Sequence, residues 1–178
     1  MDFTSFIRTV PDYPKPGIQF RDITTLLKDP TGFAAAIDAL VARYRTTPIS
    51  KIVAIESRGF LFGAPLAVAL GLGFVPARKP GKLPGAVVRA EYDLEYGTDV
   101  LEIHRDAIRP GQRVLVHDDL LATGGTAAAK CALVEELGGV VAGLAFVVEL
   151  TFLPGRARLG TYDVMSLVQY ASEDVSSE

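Results

Sequence analysis

Apolar positions along this chain follow two alternating rhythms, short unbroken runs and stripes at helical spacing. KIVAI at 51–55, FVPA at 74–77, the run at 113–118 and VVAGLAFVVEL at 140–150 are apolar with little alternation. That is the pattern of parallel strands covered on both faces. Helical stripes lie between them. Asp29 followed by Pro30 gives a capping residue and an N1 proline, and Phe33, Ile37, Leu40, Val41 and Tyr44 then recur on one face. Residues 60–70 predict a second helix, and residues 126–137 a third, closed by Gly138 and Gly139. Strands alternating with helices predict an α/β fold with an open, mainly parallel sheet flanked by helices. Ligands bind such sheets beyond the carboxyl ends of the strands, where Glu56, Arg58 and Asp118 fall.

Two stretches interrupt the rhythm. Residues 60–77 carry no charge over eighteen positions, the lower limit for a membrane span, but Pro65, Gly71, Gly73 and Pro76 divide them. Helix, turn and strand are predicted there, and no membrane is expected. From about 78 to 98 the chain holds Pro80, Gly81, Pro84 and Gly85 among Arg78, Lys79, Lys82 and Arg89. Long irregular loops in compact domains are often lids, and VVRAEYDLEYG suits a hairpin with a mobile tip. The end, about 172–178, reads as a disordered acidic tail. All 178 residues then form one domain.

Composition narrows the classes. The chain is 49% hydrophobic and 22% charged, with a net charge of −3, so no surface built for nucleic acid is expected. The single cysteine, Cys131, sits in the third helix and reads as a buried structural thiol. His104 and His117 lack metal-ligand spacing. MDFTSFIRTVPDY has neither the basic start nor the apolar run of a secretory signal, so a cytoplasmic protein is expected.

The candidate chemistry concentrates in VLVHDDLLATGGT at 114–126. A buried strand leads to adjacent carboxylates, Asp118 and Asp119, then to a Thr-Gly-Gly-Thr turn that opens a helix. Gly124 and Gly125 let the backbone turn tightly and approach a ligand. A helix N-terminus favours phosphate through its dipole and its unpaired N–H groups. The carboxylates repel that phosphate and suit neutral hydroxyls or a cation nearby. A ribose 5-phosphate offers both a phosphate and vicinal hydroxyls. The glycines are followed by no lysine, which excludes a Walker A loop, and a G-x-G-x-x-G spacing is absent.

This segment resembles the phosphoribosyl pyrophosphate motif of the type I phosphoribosyltransferases, and its ATGGT ending resembles the adenine-using members. PGIQFRDITTLLKDP, ESRGFLFG at 56–63, RKPGKLPG and YDLEYGTDVLEIH within 78–104, VEL at 148–150 and SLVQY at 166–170 extend the resemblance over almost the whole chain. It implies the type I fold, with a small N-terminal hood and a flexible lid hairpin. The implied reaction joins adenine to 5-phosphoribosyl 1-pyrophosphate, giving AMP and pyrophosphate in purine salvage. The resemblance assigns the ribose-phosphate group to Asp118, Asp119, Ala122, Thr123, Gly124, Gly125 and Thr126. It assigns pyrophosphate to Arg58, Arg78, Lys79 and Lys82, with Lys82 serving a neighbouring subunit of a homodimer. Glu95 matches the acid/base for the purine N9 proton, with Tyr96 beside it. Phe20, Arg21 (largely through its backbone) and Leu150 match the adenine pocket. Mg²⁺ is implied, held mainly by the substrate, with Asp118 and Asp119 reaching it through water.

Two positions depart from the family pattern. Ala54 stands where glycine is usual, and His117 replaces an aliphatic residue before Asp118. His117 either points into the core, the favoured reading, or lines the site and makes ribose binding pH-sensitive. Ala122 stands where hypoxanthine-guanine enzymes carry an aspartate, which is consistent with adenine and also compatible with a xanthine enzyme. A regulator that keeps the site as a sensor would need an added DNA-binding domain or a basic face; neither is expected here.

Overall fold

The computed structural model describes residues 1–93, 97–160 and 162–173. In chain order the elements are β1 (Arg8–Pro11), β2 (Gln19–Asp22), α1 (Thr24–Lys28), α2 (Pro30–Tyr44), β3 (Lys51–Ile55), α3 (Arg58–Leu70), β4 (Gly73–Ala77), β5 (Val87–Asp93), β6 (Thr98–His104), β7 (Arg113–Leu121), α4 (Gly125–Glu136), β8 (Val140–Leu150), α5 (Gly155–Arg158) and β9 (Val164–Tyr170). Five strands form one sheet in the order β4-β3-β7-β8-β9, every neighbouring pair parallel. β1 and β2 pair antiparallel as the N-terminal hood, and β5 and β6 form an antiparallel hairpin.

The period of two in the central strands decides what packs on each face. Val53, Ile55, Val114 and Val116 join a core with Leu133 and Val134 of α4 and Val88, Leu101 and Ile103 of the hairpin. Ile52 and Leu115 face the other way, onto Leu40 and Tyr44 of α2 and Leu66 of α3. Continued along β7, that alternation sends Asp118 toward α4 and His117 toward α3.

The helix starts follow local chemistry. The Asp29 carboxylate caps α2 by accepting from the Gly32 N–H at 2.8 Å, with Pro30 at the first position. Gly32, Ala36, Leu40 and Tyr44 are the buried row of α2, while Phe33, Ile37 and Val41 flank it, half-buried. α3 starts at Arg58, two residues before the expected 60, and ends on Gly71 at φ +66°. Ala54 is fully buried within β3, and its methyl occupies the space beside Gly63, where a Cβ would come within 2.8 Å. Gly63 thus makes room for the residue that departs from the family pattern. β7 does not stop at the carboxylates. Leu120 and Leu121 go on pairing with Val148 and Glu149 of β8, so the strand ends at Leu121.

Candidate active site

At the carboxyl ends of β3 and β7 lies an open cleft of about 460 Å³. Glu56 and Arg58 form one wall, Asp118 and Asp119 the floor, and Ala122–Thr126 the other wall. Gly124 takes φ +81°, a left-handed conformation that favours glycine, and caps α4. The first N–H groups of α4, which a helix leaves without intrahelical acceptors, therefore open on the cleft. Behind this turn the start of α5 approaches closely. A Cβ on Gly155 would sit 2.2 Å from the Ala122 carbonyl oxygen, and one on Gly124 would sit 2.8 Å from the Gly155 oxygen. Two glycine backbones brace each other, and the turn is held from behind.

The two carboxylates leave β7 on different sides and meet different cations. Asp118 Oδ2 accepts from Lys130 Nζ at 2.7 Å, and its Oδ1 accepts from the Asp119 N–H at 2.8 Å. Asp119 Oδ2 lies 2.7 Å from Arg58 Nε. Burial pushes the Asp119 carboxyl above its usual range, the neighbouring Asp118 charge adds to this, and Arg58 opposes it. Lys130 was not singled out in the sequence. A lone lysine in a helix reads as solvated, yet this one is fully buried and also donates to the His117 carbonyl at 2.9 Å.

All four cations matched to pyrophosphate have carboxylate partners. Arg58 pairs with Asp119, and Lys79 Nζ with Asp99. Arg78 and Lys82 share Glu56 Oε2, at 2.9 and 3.1 Å. Glu56 Oε1 also accepts the Lys79 N–H at 2.7 Å. Burial disfavours the Glu56 charge, but these hydrogen bonds outweigh it and hold the carboxyl down at about 2. The base of the hairpin is tied by a second carboxylate. Glu102, almost fully buried, accepts from Arg89 Nε at 2.7 Å and from the Gly81 N–H at 3.1 Å. Glu95 and Tyr96, in the stretch between β5 and β6, lie outside the described residues.

A smaller, mostly apolar cavity of about 80 Å³ adjoins the cleft under the hood. Phe20, Ile23, Val148 and Leu150 line it, and Arg58 and Asp119 belong to both cavities. The Arg58 guanidinium lies 5.3 Å from the Phe20 ring centre, and Phe20 meets Tyr13 edge-on at 5.2 Å. The Arg21 side chain is engaged elsewhere, donating to Thr9 Oγ1 at 2.6 Å with its guanidinium 4.0 Å from the Tyr170 ring centre. Arg21 is among the residues that line the cavity, with Gln19 and Phe20 of the same strand.

The remaining sequence candidates sit apart from the cleft. Cys131 is buried and free, its thiol pushed up to about 12 by burial. His117 is fully buried against the Phe62 ring, centroids 6.4 Å apart, on the core side of β7. Neither ring nitrogen makes a hydrogen bond of ordinary geometry, the Ala145 backbone being the interacting main-chain group. Burial lowers the imidazole to about 4. Among the described residues no cluster of three His, Cys, Asp or Glu side chains is gathered to hold a metal. No described helix is long and apolar enough to cross a membrane.

A glycine turn and helix start facing a carboxylate pair, on a parallel sheet with a hood and a hairpin, define a phosphoribosyltransferase. Residues 22–168 match the phosphoribosyl transferase domain family. The chain is 62% identical to the adenine phosphoribosyltransferase of Solibacter usitatus over 169 residues, covering 95% of this chain and 98% of that one. The crystal structure of the Thermoanaerobacter pseudethanolicus adenine phosphoribosyltransferase superposes with a TM-score of 0.92 at 55% identity, covering 94% and 98% of the two chains. The Saccharomyces cerevisiae enzyme, solved with an imino-altritol bisphosphate and adenine, superposes with a TM-score of 0.88 at 44% identity, covering 93% and 96%. The chain belongs to the adenine phosphoribosyltransferases.

Proposed function

We infer that this chain transfers the 5-phosphoribosyl group to adenine, forming the bond from N9 to the anomeric carbon and breaking the bond from that carbon to pyrophosphate. The reading rests on one observation, the juxtaposition of the Asp118–Asp119 pair with the turn of residues 122–126 across a single cleft. The turn and the first N–H groups of α4 hold the 5-phosphate, with the Thr123 and Thr126 hydroxyls adding donors. Asp118 and Asp119 accept from the ribose hydroxyls. Positive charge builds on the ribose as the glycosidic bond breaks, as in glycosyl transfer generally, and nearby carboxylates favour it electrostatically.

Adenine enters the apolar cavity beneath Phe20, against Leu150 and the Arg21 backbone. Its N9 proton passes to the Glu95 carboxylate, with Tyr96 beside it. Arg58, Arg78, Lys79 and Lys82 take the pyrophosphate by exchanging their carboxylate partners for phosphate oxygens. The donor set fits Mg²⁺ carried in on the substrate. Asp118 and Asp119 each already face a cation, so they would hold the metal through water and not as direct ligands. When bound, Mg²⁺ neutralises charge on the departing pyrophosphate.

The functional unit is a homodimer in which Lys82 serves the neighbouring subunit. Supporting this, α3 is apolar on its outer side too, with Leu61 and Val68 exposed beside the edge strand β4. The working compartment is the cytoplasm, which suits a free thiol and a charged sugar phosphate that does not cross membranes unaided. The N-terminal β-ribbon acts as the hood and residues 78–98 as a lid that closes over the pyrophosphate.

The test follows pyrophosphate release from phosphoribosyl pyrophosphate and Mg²⁺ with adenine, hypoxanthine, guanine, xanthine and orotate in parallel. Turnover with adenine alone is expected. Turnover with another base overturns the purine-pocket assignment. Binding without turnover on any base overturns the catalytic reading in favour of a sensor.

A further inference from the structure

Lys130 is buried beneath the floor of the cleft, and nothing in the reaction as described employs it. Its side chain is 0% exposed and its neighbours on α4, Cys131, Leu133 and Val134, belong to an apolar core. Burying an ammonium there carries a desolvation cost that an apolar side chain of similar length avoids. The charge is nonetheless placed where one group needs it, 2.7 Å from Asp118 Oδ2 and 2.9 Å from the His117 carbonyl, the strand position just before.

We propose that Lys130 is a positioning residue for phosphoribosyl transfer, one that orients Asp118 and, through that carboxylate, ties β7 to α4. The inference rests on the assignment of Asp118 to the ribose hydroxyls. Each Asp118 oxygen has a fixed donor, Oδ2 from Lys130 and Oδ1 from the Asp119 N–H. Two donors set the plane of the carboxylate of a residue that lines the cleft, and lone pairs remain on its oxygens for a ligand. The second tie is mechanical. α4 carries the 5-phosphate cradle at Gly125 and Thr126, and Lys130 lies a little over one turn further along the same helix. A helix is stiff over that distance, so a lysine anchored to β7 fixes the gap between the phosphate cradle and the ribose acceptor. A substrate whose phosphate and ring must be held together needs that gap constant.

The experiment is steady-state kinetics and thermal unfolding of Lys130→Met, Asp118→Asn and the double variant. Lys130→Met is expected to raise KM for phosphoribosyl pyrophosphate at least tenfold while KM for adenine stays within twofold. A lysine of merely structural value would lower Tm or the active fraction and leave both KM values unchanged; that result overturns the proposal. If the single variant does not fold, the double variant decides, since it leaves no unpaired buried charge. Its KM for phosphoribosyl pyrophosphate is expected to equal that of Asp118→Asn alone, because no carboxylate remains to be oriented. A KM well above that of Asp118→Asn overturns the proposal. An Asp118→Asn enzyme with unchanged kinetics overturns the ribose assignment itself, an outcome separate from failure at Lys130 alone.

Discussion

His117 shows how a single side chain links site, core and pH. It precedes Asp118 in sequence but points to the opposite side of the strand, into α3, with both nitrogens unpartnered. The core reading of this histidine holds, although its hydrogen bonds go unmade. Burial lowers its pKa from 6.5 to about 4, so the folded protein keeps the ring neutral where the unfolded chain protonates it. Stability is therefore whole above about pH 6.5 and falls by about 3 kcal/mol as pH drops to about 4. Asp22 and Glu56, each held at about 2, add stability that is present above their ordinary values of 3.8 and 4.5 and lost further down. Asp119, raised by burial, acts in the opposite sense over part of the same range. The quantity to read is therefore the difference between wild type and His117→Leu. Urea unfolding at pH 7 and at pH 4.5 is expected to show the variant more stable by about 1 kcal/mol at pH 7, since an unpaired buried polar group is removed. Its advantage is expected to grow at pH 4.5. A constant difference would mean that the ring does not titrate in the core. The pH profile of turnover is expected to be the same for both proteins.

Among the elements, the turn that opens α4 depends on a contact far away in sequence. Gly155, at the start of α5, lies so close to the Ala122 carbonyl that a methyl has no space. In Gly155→Ala the backbone at residue 122 or at residue 155 itself must retreat, because the nearest atom is the Ala122 carbonyl oxygen and not a flexible side-chain end. A tenfold or larger rise in KM for phosphoribosyl pyrophosphate is expected, with a stability loss of about 1–3 kcal/mol. Normal kinetics would mean the phosphate turn is not braced there. Glu56, just past the end of β3, controls the segment between β4 and β5 in a comparable way by holding Arg78, Lys82 and the Lys79 N–H. Removing its charge in Glu56→Gln frees those cations. Pyrophosphate, measured as a product inhibitor, is expected to bind several-fold tighter and to leave more slowly; weaker binding would show that Glu56 orients the cations more than it competes for them. The run at 114–126 disclosed its strand, turn and helix because each part has a local cause, apolar residues, glycine and a helix former. The partners of those residues were hidden. Nothing near Asp118 in sequence points to Lys130, twelve positions on, and nothing near Gly124 points to Gly155. Such pairings arise only when parallel strands bring distant segments side by side.

At the scale of the molecule, the question is which chain completes each active site. Within one chain Lys82, itself about half exposed, rests on its own Glu56, which also holds Arg78, so this lysine changes partners at little cost. The outer side of α3 presents Leu61 and Val68 to solvent, next to the sheet edge at β4. A twofold dimer that covers this face would bury the same patch on both copies. Mixing two defective enzymes tests that geometry directly. Lys82→Ala lacks the lid cation, and Asp118→Asn lacks the ribose acceptor. If Lys82 acts across the interface, a mixed dimer contains one site with an intact Asp118 and the partner's intact Lys82, and one site that lacks both. Random exchange of equal amounts makes half the dimers mixed, so about a quarter of wild-type turnover is expected to return. If Lys82 acts within its own chain, every site in every dimer lacks one group and nothing returns. Unmixed samples and a mixture kept too dilute to dimerise supply the baselines. Recovery of activity would make the dimer a condition for catalysis, with each chain lending its neighbour the cation that draws the pyrophosphate away.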